Sequence, residues 1–177
     1  MASTPHNEEW QLVQYPDGMV QREHFQKVPL EMPSVQEGQL LIRALYISVD
    51  PYMRGRMTPP TSGAYFSSFK PGEVIDGTVV GAVEKSTVDG FATGDVVQGF
   101  FPWRRYFTVD AKSAQKVDTS FISPSAYLGI LGLTGLSAYF PALEIAEPRS
   151  GDVGMLKANK RTYRVIWCIV HIFDVIM

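Results

Sequence analysis

The thirty residues SPSAYLGILGLTGLSAYFPALEIAEPRSGD, at positions 123–152, decide how this chain is read. Ser123 is placed to cap a short helix with Pro124 at its first position, where a missing N–H costs nothing. Gly132 breaks that pattern. Thr134 is the expected cap of a second helix, in which Leu136, Tyr139, Phe140 and Leu143 recur at helical spacing. Pro141 falls inside it and is expected to kink it, because its ring clashes with the preceding turn and it has no N–H to donate. Residues 148–152 read as a turn. A buried parallel strand and a glycine-rich phosphate loop would follow naturally, but the chain runs instead through Val153-Gly154-Met155-Leu156-Lys157 to Met177.

Composition narrows the field. A length of 177 residues allows one domain, or a domain and a fragment, with enough chain to bury a core. The apolar fraction of 45% and charged fraction of 19% are those of an ordinary globular protein. A net charge of −2 gives no reason to expect a nucleic acid or an acidic membrane surface as partner. The single cysteine, Cys168, excludes an internal disulfide framework and a multi-cysteine zinc site. Residues 1–7 are polar and lack the apolar run of a secretory signal, so the cytoplasm is the expected compartment. No run reaches the roughly 18–20 apolar residues that a membrane-spanning helix needs.

Upstream of residue 123 the pattern is β. Residues 10–14 and 25–28 read as partner strands around the Pro16-Asp17-Gly18 turn. Residues 39–49 form the clearest strand, with Leu40, Ile42, Ala44 and Tyr46 facing one way and Leu41, Leu45, Ile47 and Val49 the other. Residues 74–83 form another, in which Gly77 and Gly81 suggest a bend or a close backbone approach. Residues 96–101 and 103–109 complete the set. Short strands separated by Gly and Pro turns and followed by helices predict a mostly β chain with terminal helices, a small barrel-like domain feeding an α/β domain.

Chemistry concentrates in Ser48-Val49-Asp50-Pro51-Tyr52-Met53-Arg54-Gly55-Arg56-Met57. Pro51 biases Asp50 towards an extended conformation and ends the strand, which puts residues 52–54 in the loop leaving it. A tyrosine there offers a flat apolar face and one hydroxyl, suited to a substrate or a nicotinamide ring. Arg54 and Arg56 suit phosphate or an acidic side chain. The residues alone equally allow Tyr52 to pack at a strand end while the arginines pair with surface carboxylates. His6, His24 and His171 lack ligand spacing, so no metal is expected, and His24 reads as a surface or half-buried strand residue.

Four motifs in one order carry a resemblance: Val49-Asp50-Pro51-Tyr52-Met53-Arg54, the strand from Gly77 to Gly81, Gly94-Asp95-Val96-Val97, and Leu131-Gly132-Leu133-Thr134-Gly135-Leu136-Ser137-Ala138-Tyr139. Over about residues 8–152 the chain resembles the zinc-independent medium-chain dehydrogenase/reductases, in particular the NADPH-dependent alkenal or double-bond reductases that include prostaglandin and curcumin reductases. The resemblance implies a chaperonin-10-like, partly open β-barrel domain over residues 1–122, then the first helices of a truncated Rossmann domain over residues 123–152. It implies hydride transfer from NADPH to the β-carbon of an α,β-unsaturated ketone or aldehyde. Pro51 and Tyr52 match positions that line the substrate pocket, and Leu133 and Thr134 match positions that approach the nicotinamide. Leu133 is usually methionine in the family, a conservative exchange.

The resemblance stops after Gly151-Asp152. The family continues with an apolar strand and a loop of the Ala-x-Gly-x-x-Gly kind, whose glycines let the backbone reach pyrophosphate at a helix N-terminus. Residues 154–164 hold one glycine, Gly154, with Lys157, Lys160, Arg161 and Arg164, which read as a solvated charged face. The family's basic residues for the 2′-phosphate, and a tyrosine that assists enolate protonation, have no counterpart here, and nothing around Tyr163 matches that tyrosine. Residues 153–177 read as a non-family tail, apolar from Val165 onward apart from His171 and Asp174, of the kind a frameshift or retained intron would produce. The expected function is a fragment of a double-bond reductase, inactive alone and with no catalytic residue assigned. The alternative is a non-catalytic interaction module that pairs with full-length subunits. The expected partner is a small-molecule enone or enal, with no nucleic acid, no membrane and homo-oligomerisation left open.

Overall fold

The computed structural model of the chain describes residues 6–62 and 66–146. Strands β3 (Gln39–Ile47), β4 (Asp76–Ser86), β5 (Val96–Pro102), β6 (Tyr106–Asp110) and β7 (Gln115–Lys116) form an antiparallel sheet in the order β6-β3-β4-β5-β7. Strands β1 (Asn7–Leu12) and β2 (Phe25–Leu30) pair as a separate antiparallel ribbon. Isolated bridges from Glu9 to Arg104 and from Gln11 to Val74 tie β1 to the segments flanking the larger sheet. The five-stranded order does not close on itself, so the domain is a partly open barrel-like β structure, mostly β as the sequence predicts.

Its interior is two clusters. Leu40, Ile42, Val79, Val83, Val97, Phe101 and Phe107 form the first, with the Phe101 and Phe107 rings 5.3 Å apart. Leu12, Met53, Met57, Phe69 and Ile75 form the second, and Trp103 packs against both.

The strand phase departs from the predicted alternation at one point. Leu40 and Ile42 are fully buried, but a register shift between Ala44 and Tyr46 leaves Leu45 without a partner on β4. One extra residue reverses the facing of everything beyond it. Ile47 therefore packs on the first cluster while Tyr46 is 44% exposed, the reverse of the alternation read from the sequence.

The helical end corrects another expectation. Helix α2 runs over Leu133–Phe140 with Gly132, not Thr134, at its N-cap. Thr134 lies inside the first turn and its hydroxyl donates to the Gly129 carbonyl at 3.2 Å. At Pro141, which has no N–H for the α-helical ladder, the helix widens into a π turn over Pro141–Ile145, and the Ala146 N–H reaches the Pro141 carbonyl at 2.9 Å. Ser123 precedes a 3-10 turn, Pro124–Leu128, with its hydroxyl 3.0 Å from that of Ser125. The chain forms two compact units, Met1–Ser125 and Ala126–Met177.

Gly81 is a close approach of the kind its place in the strand suggests. A Cβ there would stand 2.4 Å from Ile42 Cγ2 and 2.8 Å from the Arg43 carbonyl oxygen. The latter is backbone and cannot rotate away. Gly81→Ala is expected to destabilise the domain by about 1–3 kcal/mol, read as a lower urea midpoint. A midpoint equal to wild type would show that the sheet absorbs the methyl.

Asp95 closes the turn before β5: its carboxylate accepts the Ala92 N–H at 2.8 Å and pairs with Lys116 at 2.7 Å. These two contacts, the Ala92 N–H first, hold its carboxyl below the usual aspartate range. A carboxyl depressed in the folded state adds stability above its unfolded pKa, about 4, which is lost as pH falls through the folded value. Asp95→Asn should therefore lower stability at pH 7 and lessen its decline below about pH 4, measured as urea midpoints across that range.

Candidate functional site

Strand β3 ends where the Ser48 N–H donates to the Thr78 carbonyl at 2.9 Å. The residues beyond form a short helix, α1, over Tyr52–Arg56, rather than the loop the sequence suggests. Pro51 sits at its N-cap with φ −58°, and the Met53 and Arg54 N–H groups reach the Asp50 and Pro51 carbonyls. A residue whose φ is already helical and whose N–H is absent starts a helix as readily as it ends a strand.

Tyr52 is half-buried. Its ring lies against Phe66, with centroids 4.9 Å apart and planes tilted by 33°. Its hydroxyl is turned inward: a Cβ built on Gly77 would stand 3.7 Å from Tyr52 Oη and 3.2 Å from Trp103 Nε1. Both polar atoms are buried and neither makes a hydrogen bond among the described residues. Burial above all, with Asp50 and Asp76 adding and Arg56 opposing, raises the phenol above its ordinary pKa, so it is neutral at physiological pH.

Both arginines of α1 are committed. Arg54 Nη2 donates to the carbonyls of Pro16 at 3.2 Å and Gly18 at 2.9 Å, pinning the turn between β1 and β2. Arg56, only 6% exposed, donates to the Ser67 carbonyl at 2.9 Å and to Asp76. Its guanidinium lies 3.9 Å from the Phe69 ring centre and 5.5 Å from that of Phe100. Arg56 pairs with a carboxylate, as one reading of the sequence had it, but inside the domain rather than on its surface. Neither cation is left for a phosphate.

Of the four residues singled out for binding, Pro51 and Tyr52 belong to the first unit, with Gly77, Trp103 and Phe66 around the tyrosine. Leu133 and Thr134 belong to the second unit, at the first two helical positions of α2, where backbone N–H groups have no intrahelical acceptor. Leu133 is 62% exposed. Sequence reasoning missed that Trp103, read as the start of a strand over 103–109, lies before β6 and brings its indole to Gly77. It also misplaced His24, which is buried in a 3-10 turn and accepts the Gln21 N–H at 2.8 Å. Among the described residues no group of three His, Cys, Asp or Glu could hold a metal ion, and no helix is long and apolar enough to cross a membrane. Gly154, Tyr163, His171 and the tail fall outside the described residues.

The first unit is thus an open antiparallel β domain with a short helix following β3. Residues 8–117 match the family described as the N-terminal domain of oxidoreductase, and the chain belongs to that family. It is 34% identical over 152 residues to the NADPH-dependent curcumin reductase of Escherichia coli, covering 86% of this chain and 44% of that protein. It is 35% identical over 127 residues to the NADP(+)-dependent 2-alkenal reductase of Nicotiana tabacum, covering 70% and 37%. Among solved structures it resembles CurA from Vibrio vulnificus in complex with NADPH, with a TM-score of 0.72 and 32% identity over 82% of this chain and 42% of that one. The chain spans less than half the length of each of these relatives.

The Arg56–Asp76 contact yields a test. Asp76→Ala leaves a charge against Phe69 without its carboxylate and is expected to cost about 1–3 kcal/mol, less than a fully buried pair because Asp76 is partly exposed. Adding Arg56→Met should recover much of that loss in urea denaturation. A double variant no more stable than Asp76→Ala would show that the stranded charge is not the cause.

Proposed function

We propose that this chain supplies the substrate-side domain of an NADPH-dependent reductase that reduces the C=C bond of α,β-unsaturated ketones or aldehydes. The observation that carries this reading is the match over residues 8–117, together with relatives that are a curcumin reductase and a 2-alkenal reductase using NADP. In this reading Pro51 and Tyr52 line the substrate, and Leu133 and Thr134 stand at the nicotinamide. NADPH would supply the hydride. Among the described residues there is no glycine-rich loop after a parallel strand, and Arg54 and Arg56 are both engaged elsewhere. On this reading the 177 residues by themselves are expected not to turn over, because hydride donor and acceptor must be held in contact for transfer. The reaction belongs in the cytoplasm, with an enone or enal as partner and neither nucleic acid nor membrane involved.

A second reading is favoured by one observation: Leu133, Leu136, Tyr139 and Phe140 are all exposed on α2. An apolar face of that kind suits an interaction module that pairs with full-length reductase subunits.

The experiment is a fusion of residues 1–146 to the cofactor-binding half of the E. coli curcumin reductase. The fusion is expected to oxidise NADPH when a simple enone is added, while the 177-residue chain alone gives no rate above the uncatalysed one. A folded fusion that binds NADPH but leaves enones untouched would remove the substrate-side assignment. Turnover by the 177-residue chain would show that its own residues complete a cofactor site.

A further inference from the structure

Tyr52 Oη and Trp103 Nε1 are both unpartnered and both face Gly77: a side-chain carbon there would stand 3.7 Å from the first and 3.2 Å from the second. Burying a polar group without its hydrogen bond costs free energy, and folded proteins rarely leave one such group, still less two facing one glycine. Here they are complementary. An indole nitrogen only donates, whereas a phenol oxygen accepts as well as donates. Both atoms are shielded from solvent, so bulk water does not serve them.

The surrounding structure holds both rings against β4. The Trp103 main chain is clamped, its N–H donating to the Ile75 carbonyl at 2.8 Å and its carbonyl accepting the Trp10 N–H at 2.9 Å. Tyr52 is fixed as the first residue of α1, and its neighbour Met53 is buried in the second cluster. Gly77, with no Cβ, leaves room for the indole: a side-chain carbon there would crowd Trp103 Nε1 at 3.2 Å and touch Tyr52 Oη at 3.7 Å.

We propose that Trp103 is the positioning residue of Tyr52. In solution its indole N–H closes onto the phenol oxygen over Gly77 and keeps the hydroxyl inside the domain. The ring face, rather than the hydroxyl, is then what Tyr52 presents to a ligand. Only this last clause rests on the reading of Tyr52 as part of the substrate site.

The test uses the 15N-labelled 177-residue chain, with its indole resonances assigned through Trp10→Phe, Trp103→Phe and Trp167→Phe. Tyr52→Phe removes the hydroxyl and keeps the ring. It is expected to shift the Trp103 indole resonance, leave that of Trp10 in place, and speed Trp103 indole exchange roughly fivefold, the worth of one net hydrogen bond. A Trp103 resonance unmoved by Tyr52→Phe overturns the proposal. Acetylation of tyrosine hydroxyls by N-acetylimidazole gives a second measurement: Tyr52 should resist where the exposed Tyr46 reacts, and Trp103→Phe should make it reactive. Wild-type Tyr52 reacting as readily as Tyr46 also overturns it.

Titration with 4-phenylbut-3-en-2-one separates the ligand clause. Tyr52→Phe should bind within about twofold of wild type and Tyr52→Leu about tenfold more weakly, the scale of an aromatic contact. A loss in Tyr52→Phe equal to that in Tyr52→Leu overturns the ring-face clause. Wild-type binding by Tyr52→Leu instead removes Tyr52 from the substrate site, and with it that part of the proposed function, while the indole result stands.

Discussion

The buried cation of Arg56 is the constraint on which the site depends. It is the last residue of α1, it lies against the Phe69 ring, and it is neutralised by Asp76, the first residue of β4. A guanidinium out of water is tolerated only where opposite charge and acceptors meet it, and here Asp76 and the Ser67 carbonyl do so. Meeting those conditions ties α1, the segment before Phe69 and the start of β4 to one another.

With α1 held at β4, the Tyr52 hydroxyl comes to Gly77, where a side-chain carbon would stand 3.7 Å from it. Trp103, in register with Ile75 through its main chain, arrives at the same place from β5. Trp103 packs on both core clusters and Tyr52 on the second. Arg54, on the same short helix, satisfies the carbonyls of the turn after β1. The positive charges that a sequence reading offers to phosphate are spent on holding the domain together.

The sheet itself was legible. Residues 39–47, 76–86 and 96–102 carry runs of Val, Ile, Leu and Phe bounded by Gly and Pro, and each forms a strand close to where the pattern puts it. Gly81 was legible as a close approach because a glycine inside a run of β-branched residues has few other reasons to be there. The break at Leu45 was not. A bulge changes no residue type, and its only trace is that Ile47 rather than Tyr46 ends up inside. The cap of α2 was misread because Thr134 has the right chemistry, but the backbone turns extended one residue before Leu133, at Gly132.

What the sequence determined by itself is the order of the main strands, a break in the regular helix at Pro141, and the choice of residues 51 and 52 as a point of interest. Periodicity, proline and glycine act within a few positions along the chain, so they can be read from it. Only the tertiary structure decided what those residues face. Arg56 and Asp76 are 20 positions apart, and Tyr52 and Trp103, distant along the chain, both come to Gly77. A charge finds its partner, and a hydroxyl turns inward, through contacts that exist only once the strands have paired.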